Sequence, residues 1–141
     1  MRKWFFIILG LIFIDQASKF LILRLFSQIV VYNKGIAFGF LASEWWAIIN
    51  FFILVVIAAC LINPTRFCKQ KWCGVKRKLP AGLILSGGIS NFLDRLFRGA
   101  VVDFIDLKVF PIFNLADVFI CLGVGIMLLL FCERTRNCFS R

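Results

Sequence analysis

The sequence predicts an all-α polytopic membrane protein: four transmembrane helices, a small extracytoplasmic β-hairpin or cradle, and both termini in the cytoplasm. Three observations predict it. The chain of 141 residues is 62% hydrophobic with a mean hydropathy of +0.94, more apolar surface than a soluble domain of that length can hide. Its apolar residues fall into four runs, roughly 4–23, 45–62, 79–97 and 113–132, each close to the ~20 residues that cross a bilayer as a helix. Its basic residues are distributed unevenly between the connections, as expected when one side faces the cytoplasm.

The first run follows Arg2 and Lys3, like the start of a secretory signal, but it is long and carries Asp15 and Lys19. It is read as a retained first helix rather than a cleaved segment. The link between the second and third runs holds Arg66, Lys69, Lys71, Lys76, Arg77 and Lys78, and the tail holds Arg134, Arg136 and Arg141. With Arg2 and Lys3 these make eleven of the seventeen basic residues, all placed inside. The outer connections hold Arg24, Lys34 and Lys108. The net charge of +10 is therefore a topology signal with some attraction for anionic lipid, and no nucleic-acid partner is expected. Residues 1–141 form a single membrane-embedded domain on this reading.

The outer connections are distinct in character. Residues 29–40, IVVYNKGIAFGF, are β-branched and aromatic with glycines at Gly35 and Gly39, which predicts a short hairpin lying on the membrane surface. The second, around VVDFIDLKVFP, is short and extended. Trp45 and Trp46 after Ser43–Glu44 suit an interfacial aromatic belt. Of the six cysteines, none lies in an outer loop, so reduced thiols are expected. The chain has no histidine and no close cysteine pair, which leaves no metal site, no cofactor, and no His-assisted nucleophile.

Depth brings the polar residues together. With about 1.5 Å of rise per residue, Asp15 lies about 16 Å and Lys19 about 22 Å above the inner end of the first helix. Asn91 and Arg95 reach the same levels on the third, and Asp117 lies about 6 Å below the outer start of the fourth. Asn33 and Asp103 border this layer from the outer loops. A charge in hydrocarbon costs about 2.5–3.5 kcal/mol, so such a convergence marks function. Simpler roles exist for several of these residues. Asp15 and Lys19 are spaced for a helical ion pair, and so are Asp94 and Arg98, at the headgroups. Asn114 and Asp117 have the spacing of an N-cap and its third helical position. Ser86, Gly87 and Gly88 suit a close helix–helix contact.

Asp103 and Asp117 are placed to meet at the outer edge of the membrane. Two carboxylates held close in a poorly hydrated site share one proton. The ionised member can then take a proton from water while the other polarises a carbonyl, which permits peptide hydrolysis without metal or covalent intermediate. A small proton or cation transporter would use similar groups, but the inner halves of these helices are almost wholly apolar. A membrane chaperone held by the basic loop would not need the paired acids.

The succession DQASK (15–19), NKGIAFG (33–39), SGGISNFLDR (86–95), VVDFID (101–106) and FNLAD (113–117) resembles lipoprotein signal peptidase, or signal peptidase II. The resemblance spans nearly the whole chain. It implies an aspartic endopeptidase of the bacterial inner membrane, multi-pass, with its active site facing the extracytoplasmic side. It implies cleavage of the signal peptide from prolipoproteins before a diacylglyceryl-modified cysteine, and inhibition by the cyclic peptide globomycin. By the same resemblance Asp103 and Asp117 are the catalytic pair, and Asn33, Asn91, Arg95 and Asn114 shape the site and bind substrate. Asp15, Lys19, Asp94 and Gly35 support it.

Overall fold

In a computed structural model, residues 2–35, 55 and 75–139 are described. The expected second span, 45–62, lies outside them except for Val55, which is helical, as do residues 36–40 of the expected hairpin. The described chain runs α1 (Arg2–Leu25), a 3-10 turn (Ser27–Ile29), β1 (Val31–Asn33), α2 (Val75–Arg98), β2 (Val101–Asp103) and α3 (Leu115–Phe139). The three helices correspond to the first, third and fourth apolar runs with shifted ends. The third run begins at Val75 rather than Leu79, so the helix extends into the basic link. The fourth begins at Leu115 rather than Phe113, because Phe113 pairs with Ile105 in an isolated bridge and Asn114 serves as the cap. Lys3–Leu25 is apolar and long enough to cross a bilayer, and Leu115–Leu130 is a shorter apolar stretch.

The helices pack through small residues. A Cβ on Gly87 of α2 would lie 2.3 Å from the Ala116 carbonyl oxygen and 2.8 Å from Ile120 on α3. A Cβ on Gly123 of α3 would lie 2.6 Å from the Pro80 carbonyl of α2. The two contacts fix α2 and α3 antiparallel with their backbones touching, the close approach that glycine allows between helices in lipid. α1 lies parallel to α2: Gly82 faces Trp4 and Ile8 at one end, and Gln16 meets Ser90 near the other.

Of the hairpin that the sequence predicts over residues 29–40, the first half is described. Within the described residues the strand pairs across the molecule: β1 runs antiparallel to β2, with Val31 opposite Asp103 and Asn33 opposite Val101. Both segments begin with β-branched or aromatic residues, and each completes backbone hydrogen bonds on the other.

The burial pattern inverts that of a soluble protein. Asp15, Lys19, Ser86, Ser90, Asp94 and Asn114 are fully buried, whereas Phe5, Phe6, Phe13 and Phe20 of α1 and Leu128 and Leu129 of α3 are exposed. Polar residues in transmembrane helices face the interior in this way, and apolar ones face lipid.

Candidate active site

Asp103 is held at the end of β2 by two amides from different elements. Asn33 Nδ2 donates to its Oδ2 at 3.0 Å and Asn114 Nδ2 to its Oδ1 at 2.6 Å. Burial pushes the Asp103 carboxyl up to about 6, with the Asp117 charge adding to the rise and the Asn33 and Asn114 hydrogen bonds and Lys19 opposing it. Asp117 sits in the first turn of α3. Asn91 Nδ2 donates to its Oδ1 at 2.8 Å, and the Asn114 backbone N–H to its Oδ2 at 3.2 Å. Asn114 Oδ1 in turn accepts the Asp117 N–H at 3.1 Å. This is a reciprocal capping pair, as the spacing predicted, and it also places Asp117 beside Asn114, the residue that grips Asp103.

Lys19 orders the layer beneath. Its Nζ lies 2.7 Å from Asp15 Oδ2, 2.7 Å from Asp94 Oδ2 and 3.1 Å from Asn91 Oδ1. Because Asn91 Oδ1 accepts from both Lys19 and Asn114, its amide nitrogen is left to face Asp117. Asp15 ties all three helices: Oδ2 also accepts the Ser90 hydroxyl at 2.6 Å, and Oδ1 accepts the Ala116 N–H at 2.8 Å. The latter satisfies an open donor at the α3 N-terminus, where a carboxylate is favoured.

Asp94 is more deeply placed than a headgroup ion pair with Arg98. It does pair with Arg98, but is fully buried, and it also accepts from Lys19, from Gln16 at 3.0 Å and from the Val102 N–H at 3.3 Å. It thereby fastens β2, and with it Asp103, to α2. Arg95 Nη2 donates to the Gly35 carbonyl at 2.8 Å, and the Gly35 N–H donates to Asn33 Oδ1 at 2.9 Å. Arg95 Nε is buried and has no hydrogen-bond partner among the described residues.

All ten residues singled out in the sequence thus belong to one connected network: Arg95, Gly35, Asn33, Asp103, Asn114 and Asp117 are linked through Asn91 to Lys19, which holds Asp15 and Asp94. Sequence reasoning missed four participants. Gln16, Ser90 and the backbone N–H groups of Val102 and Ala116 each hold an acidic side chain. Gln16 and Ser90 carried a signal, as polar residues inside apolar runs adjoining Asp15 and Asn91. The backbone donors carried none. Among the described residues no group of three or more acidic, cysteine or histidine side chains is arranged to hold a metal.

Residues 7–132 match the family model for signal peptidase (SPase) II. The chain belongs to the signal peptidase II family. It is an enzyme of that family, a peptidase. The chain is 35% identical to the lipoprotein signal peptidase of Halalkalibacterium halodurans over 89% of each protein. It is 34% identical to that of Brevibacillus brevis over 95% of this chain and 99% of the relative, and 38% identical to that of Janthinobacterium sp. (strain Marseille) over 87% and 84%. A solved structure described as a bacterial membrane enzyme superposes with a TM-score of 0.78 at 26% identity, covering 97% of this chain and 92% of its own. The family is thus one of membrane enzymes, in keeping with the apolar exterior of α1 and α3.

Proposed function

We propose that the protein removes the signal peptide from prolipoproteins by hydrolysing the bond before a diacylglyceryl-modified cysteine, using water activated by Asp103 and Asp117. One observation carries this reading. Two acidic side chains from separate elements are held by the same residue, Asn114, and each keeps a second amide donor of its own. Such an arrangement fixes the carboxyl groups without neutralising either with a cation at the opening. The ionised member takes a proton from water as the oxygen attacks the scissile carbonyl. The protonated member donates to the carbonyl oxygen, and collapse of the tetrahedral intermediate returns a proton to the leaving amine. Arg95, through its hydrogen bond to the Gly35 carbonyl, would hold the segment that positions the substrate backbone.

The chain is proposed to span the inner membrane of a bacterium four times, with both termini cytoplasmic and the pair opening toward the extracytoplasmic leaflet, where the substrate's lipid resides. The parallel run of α1 and α2 supports this count, since it suits one further crossing between them. Globomycin-type cyclic peptides would compete for the same opening. Among the described residues transport gains no support: inward of Ser86, the residues of α2 described as buried are Leu85, Gly82, Ala81 and Pro80, which offer no polar relay.

The test is cleavage of a diacylglyceryl-modified prolipoprotein by the purified protein, followed as a gel shift. Asp103→Asn and Asp117→Asn are each expected to reduce turnover roughly 10²–10⁴-fold or more with melting unchanged. Globomycin is expected to block the native enzyme. Full activity in either variant would overturn the pair.

A further inference from the structure

Between β2 and α3 the chain makes a closed excursion. Its base is the Ile105–Phe113 bridge: the N–H groups of Phe104 and Ile105 donate to the Phe113 carbonyl at 3.0 and 2.8 Å, and the Phe113 N–H returns to Ile105 at 3.1 Å. Its apex is built by a side-chain turn. Asp106 Oδ1 accepts the Lys108 N–H at 2.8 Å, Asp106 Oδ2 lies 2.5 Å from Lys108 Nζ, and Lys108 takes a left-handed conformation with φ of 64°. A rigid turn of this kind ordinarily presents polar residues to water. This one presents Leu107, Val109 and Phe110, which are 55%, 82% and 64% exposed.

We propose that this excursion is a membrane anchor, whose Leu107, Val109 and Phe110 enter the headgroup–acyl boundary of the outer leaflet. Three features point to lipid as the occupant. The excursion leads into an apolar helix, since two residues past Phe113 the chain enters α3, along which Leu122, Val124, Leu128 and Leu129 are exposed as lipid-facing residues would be. The neighbouring end of α2 adds Leu96 and Phe97, 62% and 77% exposed, at the same end of the bundle. The charges on the excursion cancel, since Asp106 and Lys108 pair with each other, and a lysine stem can lie along apolar surface with its head in the polar zone. Single exposed apolar residues need no explanation, but a contiguous set at the end of a membrane-embedded helix does. The consequence reaches the site. One stem of the excursion begins two residues after Asp103, and the other ends four residues before Asp117. Seating the apex in the interface would therefore set the height of both acids above the hydrocarbon.

The test does not depend on peptidase activity. A nitroxide on Val109→Cys, in a chain whose six native cysteines are replaced and which is reconstituted into phosphatidylglycerol–phosphatidylethanolamine nanodiscs, is probed with oxygen and a water-soluble nickel complex. The expected result is oxygen-biased relaxation, at a depth of about 5–10 Å. Nickel accessibility equal to that of a label at Lys34 would overturn the proposal. So would protection appearing only when prolipoprotein is added, or spin–spin broadening between protein copies. On the unsubstituted protein, lipids with a diazirine in the upper acyl chain are expected to cross-link within residues 104–112. Cross-links confined to α1 and α3 would overturn it equally.

Discussion

At the scale of single residues, the site works by donors that decide where charge can rest. Asp103 is the clearest case. Its carboxyl lies at about 6 because burial disfavours the ion, and Asn33 is the first of the contacts that oppose that rise. Asn33→Ala removes a hydrogen bond made to the charged form, so the carboxyl should titrate still higher. The limb of kcat/KM that falls near pH 6 is expected to move up by about half to one pH unit, since one unit corresponds to about 1.4 kcal/mol. An unmoved limb, or one displaced to lower pH, would show that Asn33 does not act on Asp103. The identities of these residues were legible in the sequence because charged and amide side chains stand out in apolar runs. Their partners were only partly legible. That Lys19 would pair with Asp15 follows from i, i+4 spacing, but that it also binds Asp94 and Asn91 depends on how α1 is rotated against α2, which spacing within one helix cannot give.

At the scale of elements, the contact between α2 and α3 governs the site because it sets the position of the α3 N-terminus. Gly87 touches the Ala116 carbonyl, and the N–H of Ala116 binds Asp15 one residue before Asp117. In Gly87→Ala the new methyl would overlap backbone, which has no rotamer to relieve it, so the helices must separate. Overpacking of this type costs about 1–3 kcal/mol. Gly125→Ala, where a Cβ meets nothing within 4 Å, is the matched control and should melt like the native protein or higher. Thermal melting and turnover per folded molecule should both fall in Gly87→Ala alone. Equal melting of the two variants would show that the close approach is dispensable. The small-residue cluster at 86–88 announced a helix contact in the sequence, but the partner helix was not legible. The partner of β1 was not legible for a related reason. Residues 29–33 carry β propensity, but propensity names no partner, and the strand found its hydrogen bonds 70 residues away on Asp103's own strand.

At the scale of the whole molecule, two asymmetries must agree for the site to meet its substrate. The buried acids and amides gather at the end of the bundle where α1 and α2 finish and α3 begins. Basic residues mark the other ends of the helices: Arg2 and Lys3 open α1, Lys76, Arg77 and Lys78 lie in the first turn of α2, and Arg134 and Arg136 lie near the end of α3. The first asymmetry is a property of packing, and the second acts during insertion, when positively charged segments are retained inside. Nothing in the fold forces them to coincide, so their opposition means that charge orients a site that packing has already built. Orientation should then respond to charge without loss of fold. In intact bacterial cells, Lys34→Cys is expected to react with a membrane-impermeant maleimide, whereas Cys138 in the tail should react only after permeabilisation. Replacing Arg66, Lys69, Lys71, Lys76, Arg77 and Lys78 with glutamine should raise the fraction of molecules with Cys138 labelled from outside and lower prolipoprotein processing by the same fraction. The activity of the purified variant in detergent should be unchanged. Labelling of Cys138 in intact cells of the native protein would invert the assignment of sides, and a detergent-inactive glutamine variant would mean that the basic link contributes to the fold as well as to its orientation.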